Sequence, residues 1–343
     1  MDGQKVRNME EFAALSGISR PTLSKYFHDP DSVRASTREK IEVALSEHDY
    51  RPNIFAINQN RRTTNNIGIV VPFLADPFFG EIARNLEQRC IAAGYAPMLF
   101  SAHGDPKLEC EILDSLRQQK PAGVLLAPLG RASDRRHVEK FVADVPTVLF
   151  DNNLPDMGSS FVGMDNTQSM RMLVEYLCAS GSAPNFFEMR VAVNPNVNRR
   201  RNAYIAAMEA LGHTPEIIRV DGDGWEFEEI GRQGGLTAFA TGRFTSDTIL
   251  CSNDRLAIGL LSAAFISNLK VGQGPEAMLR IAGHDDHPFS RFTCPSLTTV
   301  SQDYASMSDK SLEILMQMIE SEHPAQSQED FLFDGILTKR ASA

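Results

Sequence analysis

The 343-residue sequence lacks the long apolar run that a membrane protein or a secreted precursor carries. Its longest apolar stretches, such as Ile67–Ala75, are far shorter than the roughly 20 residues of a membrane-spanning helix. Residues 1–12 are charged and then amphipathic, without the apolar core of a secretory signal. These absences predict a cytoplasmic protein that makes no contact with a membrane.

Cysteine is also scarce, and its positions show no pairing pattern. The five cysteines are scattered and form no CxxC pair: Cys90, Cys110, Cys178, Cys251 and Cys294. Such spacing predicts neither a disulfide framework nor a zinc site. We therefore expect no cofactor and no structural metal.

The common catalytic motifs are missing as well. There is no GxSxG elbow, no Walker loop, no GxGxxG turn after a strand and no HExxH motif. An enzyme is the main rival class to a binding protein, and these absences argue against it. The sequence predicts a protein that is not an enzyme.

Negative charge predominates in the whole chain but not at its N-terminus. The formal net charge of −10 argues against nucleic-acid binding, because contacts to phosphates need lysine and arginine. Residues 1–62, however, hold ten basic side chains against nine acidic ones, which leaves this segment at +1 and the remainder at −11. A slightly basic head on an acidic body is compatible with DNA binding and equally with a solvated surface.

The head, residues 1–50, has the pattern of a helix-turn-helix. Asn8 can cap a first helix in which Phe12 and Leu15 form an apolar stripe. Gly17 breaks this helix, and a second helix follows with Pro21 in its first turn, where the missing N–H is tolerated. A helix, a glycine turn and a second helix are the outline of that motif.

A third helix completes the predicted core of the head. In the second helix Leu23, Tyr26 and Phe27 are expected to face inward. The segment Ser36-Thr-Arg-Glu39 has the form of a capping box for the third helix. That helix carries the apolar residues Ile41, Val43, Ala44 and Leu45. Taken alone, this pattern also fits a generic three-helix bundle.

Four motifs then occur in a fixed order. They are Ser19-Arg-Pro-Thr-Leu-Ser-Lys25, Ser36-Thr-Arg-Glu-Lys-Ile41, Tyr50-Arg-Pro-Asn53 and Asn65-Asn-Ile-Gly-Ile-Val-Val-Pro72. Their order and spacing resemble the lactose/galactose-repressor (LacI/GalR) family of transcription regulators, over essentially the whole chain. The resemblance implies a sequence-specific regulator, expected to be a repressor, that binds double-stranded operator DNA. A single short recognition helix reads few base pairs, so we expect a homodimer on a pseudo-palindromic operator.

The resemblance also implies roles in DNA binding for residues of the head. Residues 19–27 would enter the major groove, where Arg20 and Lys25 can donate to guanine O6 and N7 and Pro21 offers apolar contact. The residues expected to contact phosphates, which fix register without reading sequence, are Asn8, Ser19, Thr22, Ser24 and Arg34.

Residues 51–64 are predicted to form a hinge helix and a linker. By resemblance, Asn53, Ile57 and Gln59 would lie on the DNA. Gln59 stands where the family inserts a leucine into the minor groove, so the usual apolar wedge is missing at this position. Either the Gln59 amide hydrogen-bonds in the groove, or Ile57 or another hinge residue supplies the wedge.

Beyond the hinge, strand-like apolar runs alternate with amphipathic helical stretches. The runs expected to be strands are 67–73, 96–101, 123–128, 147–151, and a second series near 190–193, 216–221, 248–252 and 279–284. This alternation predicts an α/β fold class, with parallel sheets and crossover helices in two similar units. The predicted architecture is thus a small all-α helix-turn-helix head followed by a two-lobed body, residues 65–343.

The family resemblance implies that this body is similar to periplasmic sugar-binding proteins. In that fold the chain crosses between the lobes three times. We therefore place residues 65–162 and 292–320 in lobe one, and residues 163–291 and 321–343 in lobe two. The body is expected to provide most of the dimer interface.

Polar and aromatic residues follow the carboxyl ends of the predicted strands, where open parallel sheets bind ligands. Carboxylates, amides and an arginine can bind sugar hydroxyls, and aromatic faces can cover the apolar side of a sugar ring. The effector-binding candidates are Asp76, Phe78, Phe79, Asp151, Asn152, Arg200, Trp225, Asn253, Asp285 and Gln302. The expected effector is a small sugar or sugar derivative bound between the lobes.

Some of these candidates have other interpretations. Phe78 and Phe79 can be core residues, and Asn253 can simply cap a helix. The run of arginines at 199–201 can be a surface patch, although the family's RxxGF/Y pattern selects Arg200. Here Ala203 replaces the glycine of that pattern.

The segment His284-Asp-Asp-His287 can also suggest a metal site, but ligands this close in sequence seldom converge on one ion.

A periplasmic transport receptor would share the fold of the body, but it would carry a signal peptide and no helix-turn-helix. A second alternative is a regulator of the same family that acts without an effector or with a phosphoprotein co-repressor. Titration with sugars would distinguish this alternative from direct binding of a sugar effector.

Overall fold

A computed structural model of the chain describes residue 6, residues 8–48, residue 50, residues 63–154, residue 157, residues 160–321 and residues 329–343. The chain divides into two compact units, Met1–Thr64 and Asn65–Ala343. None of the helices in the described ranges is both long and apolar enough to cross a bilayer. The predicted hinge contacts Asn53, Ile57 and Gln59 lie outside the described residues.

The first unit contains three helices: α1 (Met9–Ser16), α2 (Arg20–His28) and α3 (Ala35–His48). Asn8 caps α1 as predicted, since its side chain accepts a hydrogen bond of 2.9 Å from the backbone N–H of Glu11. Gly17 follows α1 with a left-handed φ of 68°, which turns the chain toward α2. This pair of helices confirms the predicted helix-turn-helix.

The core of this unit is small and includes one stacked aromatic pair. Phe12, Leu23 and Ile41 are fully buried, and the Phe12 ring stacks on Tyr50 with 4.5 Å between the ring centroids. Tyr26 and Phe27 pack against this core, as expected. Three helices thus enclose one apolar cluster.

Two details of the predicted head are wrong. Leu15 and Val43 are more than half exposed, because helical geometry turns them away from the cluster that their neighbours form. Helix α3 begins before Ser36, since the Arg34 carbonyl already accepts hydrogen bonds from the N–H groups of Thr37 and Arg38. Ser36 therefore lies within the first turn and is not the N-cap.

The second unit is built from short strands and longer helices. Its strands are β1 (Asn66–Val71), β2 (Ala96–Ser101), β3 (Gly123–Leu126), β4 (Thr147–Phe150), β5 (Phe161–Met164), β6 (Asn185–Met189), β7 (Ile217–Val220), β8 (Thr248–Cys251), β9 (Arg280–Ala282), β10 (Thr299–Ser301), β11 (Asp330–Phe333) and β12 (Ile336–Thr338). Its helices are α4 (Pro77–Ala92), α5 (Pro106–Gln119), α6 (Arg135–Asp144), α7 (Asn166–Ser180), α8 (Pro195–Ala210), α9 (Phe227–Ala240), α10 (Asp254–Ile266) and α11 (Tyr304–Glu320).

Two parallel sheets organise these elements, which confirms the predicted fold class. The first sheet has the strand order β11-β5-β4-β3-β1-β2, and the second has the order β7-β6-β8-β9. Every pairing within these two sheets is parallel. The short strands β10 and β12 form a separate antiparallel pair. In both sheets the carboxyl ends of the strands are where a ligand is expected.

Side-chain caps fix where several of the helices begin. Asp76 caps α4, Asn253 caps α10 and Asp303 caps α11, each by accepting a backbone N–H from the first turn. A helix beginning directly after a strand end carries its capping residue to the edge of the sheet. Asp76 and Asn253 reach the candidate site in this way.

The chain passes between the two sheets three times, at residues 164–166, 301–304 and 333–336. Helix α11 packs on β3, β4 and β5 of the first sheet, and β11 joins that sheet by pairing with β5. Residues 298 and 301 instead form bridges to Ala282 and Asp285 beside the second sheet.

The lobe boundaries therefore differ from those inferred from the sequence. Residues 292–301 lie with the second sheet and not in lobe one. Residues 330–333 lie in the first sheet and not in lobe two. The alternating Asp-Phe-Leu-Phe pattern of β11 is typical of an exposed edge strand, and strand pairing rather than pattern determines which sheet it joins.

The strand predicted near residues 190–193 is also misplaced. The strand is Asn185–Met189, and residues 190–193 form part of the loop that follows it. Glu188 breaks the apolar run of β6, yet its side chain is fully buried because Arg201 and Arg219 both pair with it, at 3.2 Å and 3.0 Å. Because Glu188 is charged, the sequence of this central strand resembles that of a loop, although the glutamate is buried and paired in the structure.

Candidate functional site

The exposed face of α2 carries the residues predicted to read DNA. Arg20, Pro21 and Lys25 are exposed, while Leu23 is buried on the opposite side of the helix. Arg20 forms an exposed ion pair of 3.1 Å with Glu10. An exposed pair of this kind is worth about 0–1 kcal/mol, so Arg20 can exchange Glu10 for a base at little cost.

The predicted phosphate contacts are accessible on the same unit. The exposed members of that set are Asn8, Ser19, Ser24 and Arg34, and Thr22 is half-buried. The hydroxyls of Ser19 and Thr22 lie 2.8 Å apart at the start of α2. Four of them, Asn8, Ser19, Thr22 and Arg34, stand at or beside the start of a helix, where hydroxyls and amides commonly bind phosphate.

In the second unit, a cavity of about 40 Å³ lies at the strand ends. We call it the effector cavity. Eight of the ten predicted effector-binding residues line it: Asp76, Phe78, Phe79, Asp151, Arg200, Trp225, Asn253 and Asp285. Seven lining residues were not among the candidates: Asn194, Asn196, Val197, Phe227, Asp254, Arg255 and His287.

Asp76 joins the two lobes through an arginine. Its carboxylate accepts the Phe78 N–H at 3.0 Å and the Arg255 guanidinium at 3.0 Å. Arg255 lies in the first turn of α10, donates two hydrogen bonds of 2.7 Å to Glu228 and stands 5.0 Å from the centroid of the Phe227 ring. Arg255 therefore closes one side of the cavity.

Asp151 follows β4 and also contacts the other lobe. Its Oδ1 accepts a hydrogen bond of 2.9 Å from the Asn196 side chain, whereas its buried Oδ2 has no hydrogen-bond partner among the described residues. Burial raises the pKa of Asp151 to about 7, although the Arg200 guanidinium opposes this shift. A cavity lined by such a carboxyl group favours a ligand that donates a hydrogen bond.

Arg200 and Asp285 form the central ion pair of the cavity. The guanidinium donates to both carboxylate oxygens of Asp285, at 2.5 Å and 3.1 Å, and Nε donates to Asn166 at 3.0 Å. Burial opposes ionisation of Asp285, but the Arg200 charge holds the pKa of Asp285 well below its usual range. A bidentate pair of this kind has a fixed geometry.

The neighbouring arginines do not enter the cavity. Arg201 pairs with the buried Glu188, and Arg199 donates to Asn196 at 3.0 Å. Arg200 is therefore the member of this run that lines the effector cavity, in the register that the RxxGF/Y pattern indicates.

Behind the cavity, several side chains hold Asp285 in place. The Gln302 amide donates to its carboxylate at 2.8 Å, and the Tyr304 hydroxyl donates to its carbonyl at 2.8 Å. Asp285 has a positive φ of 115°, which is unusual for a residue other than glycine. Such a conformation persists where the surroundings determine it, as they do here.

Two predicted effector contacts do not line the cavity. Gln302 contacts Asp285, as described above. Asn152 is buried, and its amide donates to the Pro128 carbonyl at 3.1 Å. Gln302 thus supports the lining residue Asp285 from behind, whereas the Asn152 side chain is directed toward the loop after β3.

Asp254 is a buried carboxyl group with a structural function. Its oxygens accept hydrogen bonds from the His287 N–H, the Ser290 hydroxyl and the Thr299 hydroxyl, at 2.8 Å, 2.6 Å and 2.7 Å. Burial raises the pKa of Asp254 to about 7. These bonds join α10 to the turn at 287–290 and to β10.

An aromatic cluster covers another side of the cavity. The Trp225 indole stacks on Phe73 with 5.3 Å between the ring centroids, and its edge meets Phe79 and Phe227. Phe78 packs edge-on against Phe79. Phe79 is thus both a core residue and a wall of the cavity, so the two interpretations of it are compatible.

The segment His284–His287 gives no sign of a metal site. Burial lowers the pKa of His284 to about 4, and this neutral ring contacts Ser169 and Asp285. Within the described ranges, no group of three or more histidine, cysteine, aspartate or glutamate side chains is arranged to hold a metal ion.

Comparisons with known proteins match the two units separately. Residues 8–53 match the model of bacterial regulatory proteins of the lacI family, and residues 177–343 match a periplasmic binding protein-like domain. The fold and the site thus define a class: DNA-binding regulators whose body has the fold of ligand-binding proteins. The chain combines a helix-turn-helix domain of the lacI family with a periplasmic-binding-protein-like domain.

Curated relatives cover nearly the whole chain. The ribose operon repressor of Escherichia coli (strain K12) is 25% identical over 336 residues, which are 98% of this chain and 99% of that protein. The sucrose operon repressor of Pediococcus pentosaceus is 27% identical over 314 residues, which are 91% and 92% of the two chains. Members of the family are DNA-binding regulators rather than enzymes.

A solved structure shows the same fold. The Lac repressor dimer bound to operator and the anti-inducer ONPF matches with a TM-score of 0.84 and 23% sequence identity, over 98% of this chain and 99% of that chain. This likeness confirms the combination of a helical head with a body of parallel sheets.

Proposed function

We propose that this protein is a repressor that binds a specific operator and is controlled by a sugar-like effector in the effector cavity. One observation carries the proposal: polar groups from both lobes converge on one cavity and pair across it. The pairs are Asp76 with Arg255 and Asp151 with Asn196. A ligand that replaces or extends these contacts would change how the lobes are held together.

The chemistry of the walls favours a hydroxylated ligand. Asp151 Oδ2 can accept a hydroxyl hydrogen, and Asn253 and Arg200 offer further polar groups. Phe78 and Trp225 supply apolar surface for a sugar ring. The similarity to proteins named as ribose and sucrose operon repressors supports the same ligand class.

On the DNA side, we propose that α2 lies in the major groove and that Arg20 and Lys25 read bases, with Pro21 in apolar contact. The hinge residues Asn53, Ile57 and Gln59 are proposed to contact the minor groove. The similarity of residues 8–53 to the lacI family supports this assignment. The protein would act in the cytoplasm, where its operator lies.

The protein is further proposed to act as a homodimer. Helix α2 has nine residues and can reach few base pairs, so a two-fold operator needs two copies. The body carries exposed aromatic side chains, among them Phe265 at 84% and Phe292 at 71% exposure, which a partner would cover. Sedimentation should give a dimer at micromolar concentration. A monomer, with one protein bound per operator, would contradict this.

Isothermal titration of the full-length protein against a sugar panel tests the proposed effector class. The expected result is saturable binding of at least one sugar with one site per chain, lost on substitution of Arg200. A regulator that acts without an effector, or with a phosphoprotein co-repressor, would bind no member of the panel.

A further inference from the structure

Arg255 connects the two lobes across the effector cavity. It lies in the first turn of α10, in the second lobe, and donates two hydrogen bonds of 2.7 Å to Glu228 of α9. Its third hydrogen bond, of 3.0 Å, goes to Asp76, which caps α4 of the first lobe. We call Glu228, Arg255 and Asp76 the interlobe bridge. One guanidinium thus joins a carboxylate of each lobe.

Both halves of the interlobe bridge are oriented within their own lobes. In the second lobe, Arg255 is held by Glu228 and by the Phe227 ring, whose centroid lies 5.0 Å from the guanidinium carbon. In the first lobe, the Asp76 carboxylate accepts the Phe78 N–H at 3.0 Å. Pairing two groups that are already oriented costs little side-chain entropy. The contact between Arg255 and Asp76 therefore favours a closed arrangement of the lobes.

The contact between the lobes is also shielded from water. The side chains of Arg255 and Asp76 are 12% and 9% exposed, whereas that of Glu228 is 40% exposed. Water and salt screen the attraction between shielded charges less than that between surface charges. Without Arg255, the closed body would contain an unpaired buried charge at Asp76, and opening of the lobes would let water solvate it.

The side chains of the protein nearly fill the effector cavity, which has a volume of about 40 Å³. For comparison, a cavity of about 150 Å³ holds one benzene molecule. A sugar ring with its hydroxyl groups is larger than benzene. It therefore cannot enter while Arg255 and Asp76 remain paired across the cavity.

We propose that the interlobe bridge holds the lobes closed and that an effector enters only after Arg255 separates from Asp76. This inference rests on the proposed function, since it assumes that a ligand enters the effector cavity. The bridge competes with the effector, so the measured affinity is that of the open body multiplied by the fraction of protein that is open. Arg255 thus determines how much effector the regulator needs.

Trp225 reports whether the lobes are in contact. It is the single tryptophan of the chain, and it is 8% exposed. Its indole, in the second lobe, stacks on Phe73 of the first lobe with 5.3 Å between the ring centroids. Separation of the lobes exposes this indole to water. Acrylamide then quenches its fluorescence more strongly, and its emission moves to longer wavelength.

The first measurement uses the full-length protein and no sugar. The acrylamide quenching constant should rise at least about twofold in Arg255→Ala, because the population shifts toward the open body. Arg232→Ala is the matched control, since Arg232 pairs with Glu229 on the surface of α9 in the same lobe. This control should quench as the wild type does.

A second variant, Asp76→Asn, changes the other side of the same contact. Asparagine can still cap α4, but it has no charge with which to bind Arg255. Because Arg255 then stays beside Phe227, a rise in quenching in both variants reports opening of the lobes and not a local change near Trp225. If Arg255→Ala fails to fold, Asp76→Asn decides alone. Unchanged quenching in the variants that fold would overturn the inference.

Titration calorimetry with glucose, galactose, fructose and ribose is the second measurement. A sugar that binds the wild type should bind Arg255→Ala several-fold more tightly, because the bridge no longer competes with it. Weaker binding to Arg255→Ala would show that Arg255 contacts the effector directly, and it would overturn the inference. Increased quenching, together with no binding of any sugar to either protein, would support closure by Arg255 and overturn the proposed function.

Discussion

The head and the body present their functional side chains in opposite ways. In the head, Arg20 and Lys25 lie in solvent, and the single ion pair of Arg20 is exposed. In the body, Arg200 and Asp285 are buried and bound to each other. Loss of its partner leaves a buried charge with a large free-energy penalty, whereas water solvates an exposed charge that has lost its partner. Substitutions in the cavity should therefore have large effects on effector binding. Substitutions on the exposed face of the head should have smaller effects, and these should be limited to DNA binding.

The largest effect is expected at the central ion pair. Arg200→Ala or Asp285→Ala leaves a buried charge without its partner and should weaken effector binding by at least about 2 kcal/mol. Operator binding without effector should remain largely intact. Calorimetry and gel shifts would measure these two quantities.

Arg190→Ala is the matched control, because Arg190 pairs with Asp221 on the surface of the same lobe. It should leave effector affinity unchanged. Wild-type effector affinity in both cavity variants would mean that the ligand binds elsewhere.

The next effect concerns base reading in the head. Arg20→Ala and Lys25→Ala should each weaken binding to an operator selected from random DNA by about 1–3 kcal/mol, since each removes a donor to guanine. Thermal stability should change little, because both side chains are exposed. Lys40→Ala, at an exposed position of α3, serves as the control for loss of charge. Equal losses on operator and on unrelated DNA would show that these residues bind only the backbone.

A smaller effect is expected from the titration of Asp151. Burial raises the pKa of Asp151 from 3.8 to about 7, so the folded protein binds this proton more tightly than the unfolded chain does. The stabilisation is complete below a pH of about 4 and is lost as the pH rises toward 7. The melting temperature should therefore fall by a few degrees between pH 5 and pH 8.

Asp151→Asn should remove part of this slope. The remainder combines Asp254, whose pKa is also raised to about 7, with His284, whose lowered pKa acts in the opposite direction below a pH of about 6.5. Asp221→Asn, at an exposed carboxyl, should leave the slope as it is in the wild type. Identical slopes in all three proteins would show that Asp151 does not titrate in this range.

The smallest effect is expected in the hinge. Leucine inserted between base pairs kinks DNA, and glutamine is poorly suited to that insertion. Gln59→Leu should increase operator bending and tighten binding several-fold to an operator with a central CG step. Circular-permutation gel shifts measure the bend. An equally strong bend in both proteins would show that Ile57 or another hinge residue supplies the wedge.

Sequence patterns predicted the local features of the molecule best. Asn8 and Asn253 cap helices, as their type and position indicated. Asp285 was predicted because polar residues at strand ends converge in parallel sheets, and Arg200 was selected by the RxxGF/Y pattern of the family that the sequence resembles. These features depend on a few neighbouring residues or on one general property of the fold.

Features that depend on distant contacts could not be predicted. The pairing of Asp151 with Asn196 joins the two lobes, and Arg255 reaches Asp76 across the cavity. Strand β6 was missed because the partners that neutralise Glu188 lie on other elements.

Operator affinity with and without a bound sugar tests the central claim most directly. The gel shift should be measured with the sugar that calorimetry selects, on wild-type protein and on Arg200→Ala. We expect saturating sugar to change the operator affinity of the wild type at least about tenfold and that of Arg200→Ala not at all. An unchanged operator affinity in wild-type protein that is saturated with sugar would contradict it.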